Sequence, residues 1–428
     1  MINPQQIFKD QLKGKLGRKL FSSAGTYKLA REVFVKNNQF DFEAKRKLIA
    51  MGLDQAAEAY HRKKPVAWTS AFFPGELVYL FDLVPFAPEA ASGVAASMEI
   101  AQDLLSHSEQ MGLSTDSCSF HRCAAAGTAL EYFPLPDFLM ASSHLCDGAP
   151  KLFQYMARRY DKPLYLLDVP FRQNDQSLNY IASQLAEIAG DLEKKTGIKL
   201  TSERIAEVFD HSNRAREYQL QVSKLRQDVP SPLNGKEGLA YVYLTLLGEG
   251  HPESPEIYRT LAEELQEVVK RKKPEQDKGR EENFRLIWVH LPPYHSSEMI
   301  SYLEKELKHK IVAEEMNYVY WPPLDPEKPF ESLARKVLSH PGLGPLDRRL
   351  DTLEKMVHDY KAHGVIHFSH WGCRQSVGGT MAIKKKLREK EIPFLAIEGD
   401  CIDGDSFPWG QALTRLEGFS EVLEELYA

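Results

Sequence analysis

The sequence lacks a long hydrophobic run. Nowhere do about 18 uncharged apolar residues follow one another, as a membrane-spanning helix requires. Charges also interrupt the N-terminal stretch MINPQQIFKDQLKGKLGRKL every few residues, which is not the pattern of a secretory signal. We therefore expect a soluble, cytoplasmic protein without a membrane partner.

An excess of basic residues is also absent. The chain has 54 Lys and Arg against 60 Asp and Glu, and its formal net charge is -6. This balance provides no positive stripe for phosphates, so we expect no nucleic-acid partner. The sequence contains no G-x4-G-K-[ST] loop either, so we do not expect it to hydrolyse ATP through one.

Cysteine is scarce, with five residues in 428, and no two of them form a C-x2-C pair. Without a secretory signal, an odd number of cysteines argues against a disulfide framework and favours thiols with a metal or redox role. For any single cysteine the alternative is burial as an ordinary small hydrophobic residue.

Apolar, strand-like segments alternate with helical patterns in two parts of the chain. This alternation predicts an α/β fold with parallel sheets. The predicted strands are PVAWTS (65–70), LPDFLMASS (135–143), KPLYLLDVPF (162–171), FRLIWVHL (284–291), IVAEEM (311–316), VIHFS (365–369) and PFLAIEG (393–399).

The pattern divides the chain into four regions. Helix-spaced apolar residues, such as Ile181, Leu185 and Ile188, predict a helical bridge between the two alternating parts. The segment KRKKPEQDKGREEN at its end holds ten charges in fourteen positions, which is typical of a linker. The predicted regions are a helical N-terminal extension (1–60), a first α/β domain (61–172), the helical bridge with its charged linker (173–283) and a second α/β domain (284–428).

The cysteines occupy positions where α/β folds build binding sites. Cys146, Cys373 and Cys401 each follow a predicted strand, and the carboxyl ends of parallel strands converge on one crevice. Cys118 and Cys123 come directly before a helical pattern, whose N-terminal amides favour the thiolate. We therefore expect all five to face one cleft between the domains.

Histidines near these cysteines leave zinc open as an alternative. His121, His144 and His370 each stand within a few residues of a cysteine, and sets of Cys and His suit zinc. Ligands gathered from distant parts of the chain require a domain cleft, which suits an inorganic iron–sulfur cluster better than a local zinc knuckle.

Several blocks together resemble the 2-hydroxyacyl-CoA dehydratase and benzoyl-CoA reductase family, which includes the double-cubane cluster proteins. The blocks are TSAFFPGELVYLFDLVPF, DSCSFHR, SSHLCDGAPKLF, HWGCRQ with the following KKKLREKEIPFLAIEGD, and TRLEGFSEVL. The resemblance implies two flavodoxin-like domains with a 4Fe-4S cluster in the cleft between them. Its implied ligands are Cys118, Cys146 and Cys373.

Two further cysteines, Cys123 and Cys401, fall in the same blocks. They favour the larger 8Fe-9S double cubane of one branch of the family, with all five cysteines as ligands. Two joined cubanes leave six irons to ligate, so one ligand would be missing. Core or second-shell thiols are the alternative for this pair.

The resemblance also implies a reaction and partners. The chain is expected to be a homodimer that accepts low-potential electrons from an ATP-hydrolysing, homodimeric 4Fe-4S reductase and reduces a small molecule at the double cubane. One alternative is a single-cubane subunit of a 2-hydroxyacyl-CoA dehydratase or benzoyl-CoA-type reductase. A second is a non-enzymatic cluster scaffold or electron store.

Few residues are candidates for substrate handling. Ser70 and Glu76 follow the first predicted strand, where a hydroxyl and a carboxylate would meet a reacting group. Glu76 equally suits the start of a helix, where acidic residues are favoured. Arg374 and Gln375, directly after Cys373, suit anion binding or surface solvation.

Overall fold

Two parallel sheets of four strands each form the centre of the molecule. The computed structural model describes residues 23–37, 40–271, 282–405 and 407–427. The strands are β1 (Val66–Thr69), β2 (Val84–Phe86), β3 (Phe138–Ser142), β4 (Leu164–Leu167), β5 (Arg285–Val289), β6 (Lys310–Glu314), β7 (Gly364–His370) and β8 (Phe394–Gly399). Their orders are β2-β1-β3-β4 and β6-β5-β7-β8, which correspond to the first four strands of a flavodoxin-like sheet. The predicted two-domain α/β fold is confirmed.

Helices surround both sheets. Those up to the end of the first sheet are α1 (Ala24–Asn37), α2 (Glu43–His61), α3 (Gly75–Leu80), α4 (Pro88–Ser97), α5 (Ala101–Gln110), α6 (Ser119–Ala129) and α7 (Gly148–Tyr160). Those between the sheets are α8 (Asp175–Thr196), α9 (Ser202–Leu225), α10 (Gly235–Ala240), α11 (Val242–Leu247) and α12 (Ser254–Lys270). The remaining ones are α13 (Glu298–Ser301), a π-helix (Tyr302–Glu306), a 3-10 helix (Glu315–Asn317), α14 (Pro329–Ser339), α15 (Leu346–Asp359), α16 (Arg374–Val377), α17 (Thr380–Glu389) and α18 (Trp409–Tyr427).

The two central strands of each sheet are buried at every residue, because helices cover both faces. This burial explains why their sequences are continuous apolar runs. Residues 1–22 and 38–39 of the predicted N-terminal extension, and 272–281 of the predicted charged linker, lie outside the described residues.

The long helix α8 shows why the bridge folds as it does. The Asn174 side chain caps its first turn by accepting from the Ser177 backbone N–H, and Gly197 ends it in the left-handed region. Ile181, Leu185 and Leu192 are fully buried on one side of the helix. The predicted apolar face is thus confirmed.

One strand departs from the prediction. The segment after α3 forms the three-residue edge strand β2, which pairs with β1 but with no other strand. It contains Pro85, which lacks a backbone N–H and is tolerated at a sheet edge.

The two halves share hydrophobic cores. Leu104 and Phe120 of the first half pack in one cluster with Trp288 and Phe368 of the second sheet. Helices α4 to α6 therefore connect the first sheet to the second and bring their residues to the space between them. Within the described ranges, no helix combines the length and apolarity that a membrane crossing requires.

Candidate functional site

A cavity of about 450 Å³ lies where the two sheets present their carboxyl ends. Its wall includes residues that closely follow β1, β3, β5, β6 and β7, namely Ser70, His144, Cys146, His290, Glu315 and Cys373. Loops at these strand ends are free of the sheet's hydrogen bonding, which is why ligand sites form there in parallel sheets.

Three cysteines line this cavity: Cys118, Cys146 and Cys373. Each stands one or two residues before the start of a helix, respectively α6, α7 and α16. Each sulfur accepts hydrogen bonds from two backbone N–H groups. The donors are Phe120 and His121 for Cys118, Gly148 and Ala149 for Cys146, and Gln375 and Ser376 for Cys373. The same local arrangement is thus built three times.

These three sulfurs interact with one another electrostatically. Burial is the largest cause of the raised pKa of Cys118, and the neighbouring Cys373 is the next. Burial likewise raises the pKa of Cys146 to about 11, against the lowering effect of its backbone N–H donors. Thiols held in this way become thiolates when a cation compensates their charge, as iron does in a cluster.

A histidine connects the first sheet's cysteine to the second sheet. The Cys401 backbone N–H donates to His370 Nδ1 at 3.2 Å, so the ring proton is on Nε2. That Nε2 lies 3.5 Å from the Cys118 sulfur and donates to it. His121 Nε2 lies 3.9 Å from the Cys146 sulfur. Histidine donors to cluster sulfurs are among the features that set reduction potential.

Gly372 allows the second sheet's loop to approach Cys118. A Cβ at this position would stand 2.4 Å from the Cys118 Cα, closer than two carbon atoms can come without a bond. Only glycine therefore permits Cys373 to reach the wall on which Cys118 lies.

The other two predicted ligands lie behind this wall. Cys123 and Cys401 are fully buried and belong to the hydrophobic core beside the second sheet. Cys123 is inside α6 and bonds with the Ser92 side chain, and burial raises its pKa to about 12. The Cys401 sulfur points to the Leu291 carbonyl oxygen, 3.9 Å away. The structure thus brings three of the five cysteines to the cavity and leaves two in the core.

Within the described ranges, no three His, Cys, Asp or Glu side chains are arranged to hold a single metal ion. A cluster differs from a single ion, because each cysteine binds a different iron atom and the sulfurs stand farther apart. Three convergent cysteines with backbone N–H donors are therefore a donor set that fits a cubane better than a zinc ion.

The two residues predicted to handle substrate are separated. Ser70 lines the cavity, and its hydroxyl oxygen accepts from the Ser142 backbone N–H at 3.0 Å. Glu76 is fully buried in the first turn of α3 and does not line the cavity. Its carboxylate accepts from Lys336 Nζ at 2.7 Å and from the Ser212 hydroxyl at 2.9 Å.

Sequence reasoning missed Glu89, which lines the cavity from the first turn of α4. Burial raises its pKa to about 7, partly offset by backbone N–H groups including that of Ala71. Its Oε2 is buried without a hydrogen-bond partner, and its charge raises the pKa of Cys146. The sequence signal for Glu89 is an acidic residue in the first turn of a helix that directly follows a strand. That strand, β2, was not predicted, so the signal was missed.

Arg374 and Gln375 also line the cavity. Arg374 forms an ion pair with Asp147 at 2.6 Å, and both side chains are mostly exposed. This pair joins the loop after β3 to the loop after β7, close to Cys146 and Cys373.

Comparison with known proteins gives a consistent family. The family model described as 2-hydroxyglutaryl-CoA dehydratase, D-component, matches residues 70–423. The (R)-2-hydroxyisocaproyl-CoA dehydratase alpha subunit of Clostridioides difficile is 26% identical, over 88% of this chain and 95% of that protein. The (R)-phenyllactyl-CoA dehydratase alpha subunit of Clostridium sporogenes is 23% identical, over 86% and 92%.

A reductase is also similar. One subunit of the benzoyl-CoA reductase of Thauera aromatica is 24% identical, over 83% of this chain and 88% of that protein. The matched residues include all three cysteines of the cavity wall. The chain belongs to the 2-hydroxyacyl-CoA dehydratase and benzoyl-CoA reductase family of enzymes.

Proposed function

We propose that this chain is the electron-accepting subunit of a 2-hydroxyacyl-CoA dehydratase or related acyl-CoA reductase, with one 4Fe-4S cluster held by Cys118, Cys146 and Cys373. The observation that carries the proposal is that three cysteines share one cavity wall. The sulfur of each accepts hydrogen bonds from two backbone N–H groups. When bound, the cluster would supply a low-potential electron beside the substrate thioester.

The residues of the chain itself have separate roles in this proposal. The His370 Nε2–H donates to the Cys118 sulfur and stabilises its negative charge. Glu89 offers a buried carboxyl with a free oxygen on the cavity wall, suited to exchange a proton with substrate. Ser70 is placed to contact substrate with its hydroxyl.

Glu76 has a different role in the proposal, although it was predicted to be catalytic. Its carboxylate is buried behind the wall and neutralises Lys336, which does line the cavity. We propose that it positions Lys336 and does not itself contact substrate.

A double cubane is the second candidate. Besides burial and Asp400, the nearby Cys118 and Cys373 raise the pKa of Cys401, so this thiol lies close behind the wall. Cys123 and Cys401 would have to leave the core to bind iron. Because burial in the native structure opposes this movement, we favour the single cubane.

We propose an ATP-hydrolysing, homodimeric 4Fe-4S reductase as electron donor. A homodimer is the assembly proposed from the sequence, whereas the relatives' names, which describe each of them as one subunit of an enzyme, favour a different second chain. The native mass of the purified chain, alone and with the neighbouring gene products of its source, distinguishes the two assemblies.

The test is anaerobic turnover. The reconstituted chain, together with the second subunit that the native mass identifies, a reductase of the proposed type and ATP, should convert a 2-hydroxyacyl-CoA to the 2-enoyl-CoA with loss of water, or should reduce an aromatic acyl-CoA. If no acyl-CoA is converted although the cluster is loaded and becomes reduced, the proposed function is wrong.

A further inference from the structure

The lysine that lines the cavity is fully neutralised. Lys336 Nζ lies 2.7 Å from both the Glu76 and the Glu249 carboxylates, and all three side chains are buried or nearly so. This group of two carboxylates and one ammonium carries no excess positive charge. Lys336 also stands over the Trp321 ring, 5.2 Å from its centre.

The arginines that line the cavity are neutralised as well. Arg349 and Glu315 form two bonds, Nε to Oε1 at 2.5 Å and Nη2 to Oε2 at 2.8 Å, and both side chains are about nine-tenths buried. Arg374 is paired with Asp147. Over the ranges that the structure describes, every lysine and arginine on the cavity wall therefore has a carboxylate partner.

The rest of the wall is apolar or offers uncharged hydrogen-bonding groups. Both ring nitrogens of His144 are buried without a partner, although this residue lines the cavity. His144 packs against His340, with ring centres 4.9 Å apart, and Phe72 packs against both rings. Glu89 adds a further carboxyl and no positive charge. A neutral imidazole suits a hydroxyl or carbonyl oxygen better than a carboxylate.

We infer that the cavity accepts an acyl group that carries no charge and rejects one that ends in a carboxylate. A carboxylate buried here would lose its hydration without gaining a free cation, and it would meet the Glu89 and Glu249 carboxyls of the wall. This inference rests on the proposed function and names the substrate class of that same site.

Two thioesters of similar size test the inference. (R)-2-hydroxyisocaproyl-CoA and (R)-2-hydroxyglutaryl-CoA share the coenzyme and the 2-hydroxy group, and they differ in an isopropyl against a carboxylate end. Binding to the full chain with its cluster loaded, measured by anaerobic calorimetry without a reductant, avoids turnover. We expect the isocaproyl ester to bind at least about 100-fold more tightly, because the penalty for an unpaired buried charge is several times the thermal energy.

Glu315→Gln sharpens the test by releasing Arg349 from its partner. The variant keeps the side-chain volume and gives the wall one unpaired cation, so the preference for the isocaproyl ester should fall at least about 10-fold. Glu263→Gln, a change of the same kind at a largely exposed residue of α12, is the matched control and should leave the preference unchanged.

The outcomes separate the two claims. If the wild-type chain binds the glutaryl ester as tightly as the isocaproyl ester, or more tightly, the inference is overturned while the proposed function stands. If neither ester binds, both are overturned. The wild-type comparison decides the matter even where Glu315→Gln fails to fold.

Discussion

The cavity wall and the core behind it contain the same kind of residue in two different states. Three cysteines line the cavity at the starts of helices, and their sulfurs accept hydrogen bonds from backbone N–H groups. They are Cys118, Cys146 and Cys373. Cys123 follows Cys118 by only a few residues, and Cys401 follows Cys373 by about thirty. Both are nevertheless fully buried among apolar side chains. Proximity in sequence therefore does not separate a cysteine of the cavity wall from a core thiol, whereas backbone donors and access to the cavity do.

Replacing a cysteine of the wall should have the largest effect. Cys373→Ser removes a thiolate that a cluster cannot replace, so less than about half of the iron should remain after anaerobic reconstitution. Cys401→Ser is the matched control from the core and should retain its iron. Equal losses of iron in both variants would show that the cysteines of the wall and those of the core do not differ in their contribution to iron binding.

Glu89→Gln should act on turnover without loss of the cluster. A side chain that transfers a proton contributes about 100-fold or more to rate, so acyl-CoA turnover should fall by at least that factor. The iron content should stay at the wild-type value, which distinguishes this variant from the cysteine variants. An unchanged rate would remove Glu89 from the proposed reaction.

The Glu89→Gln variant should also change how the free energy of unfolding depends on pH. Burial raises the pKa of Glu89 in the folded chain to about 7 from its ordinary value of 4.5. The folded state therefore binds the proton more tightly, and the free energy of unfolding falls as pH rises from about 4.5 to about 7. Glu89→Gln removes this loss, so at pH 8 it should be more stable than the wild type by about 1–3 kcal/mol, with no such gain at pH 4.

Chemical unfolding at the two pH values measures this difference. Glu263→Gln, at an exposed carboxylate, should show no such dependence on pH and serves as control. A gain that is equal at pH 4 and pH 8 would mean that the Glu89 carboxyl is not held protonated by the fold.

The smallest predicted effect concerns the hydrogen bond to the Cys118 sulfur. His370→Phe removes the Nε2 donor at 3.5 Å, so the midpoint potential of the cluster should become more negative. His309→Phe is a matched control, since His309 is buried and bonds to Ser420 near α18, away from the wall. A potential that shifts equally in both variants would indicate general loosening of the fold.

Much of the fold was predictable because the central strands are buried on both faces. Continuous apolar runs mark β1, β3, β5 and β7, and their observed bounds differ from the predicted ones by one to three residues. The edge strand β2 was missed since three residues containing a proline carry little strand signal. Gly364 opens β7 at a place where a Cβ would stand 2.8 Å from the Phe419 ring.

The site was predictable only in outline. Parallel topology predicts that cysteines at strand ends come together at one edge of the sheet. This prediction holds for Cys146 and Cys373, which line the cavity. Cys401 also follows a strand, but its backbone N–H binds His370 and its side chain turns to the core. Such contacts join residues distant in the chain, so no local pattern reveals them.

Counting iron and acid-labile sulfide in the anaerobically reconstituted wild-type chain tests the central claim most directly. A wall of three cysteines that holds one cubane predicts about four irons and four sulfides per chain. About eight irons and nine sulfides, lost together when Cys123 or Cys401 is replaced, would contradict it.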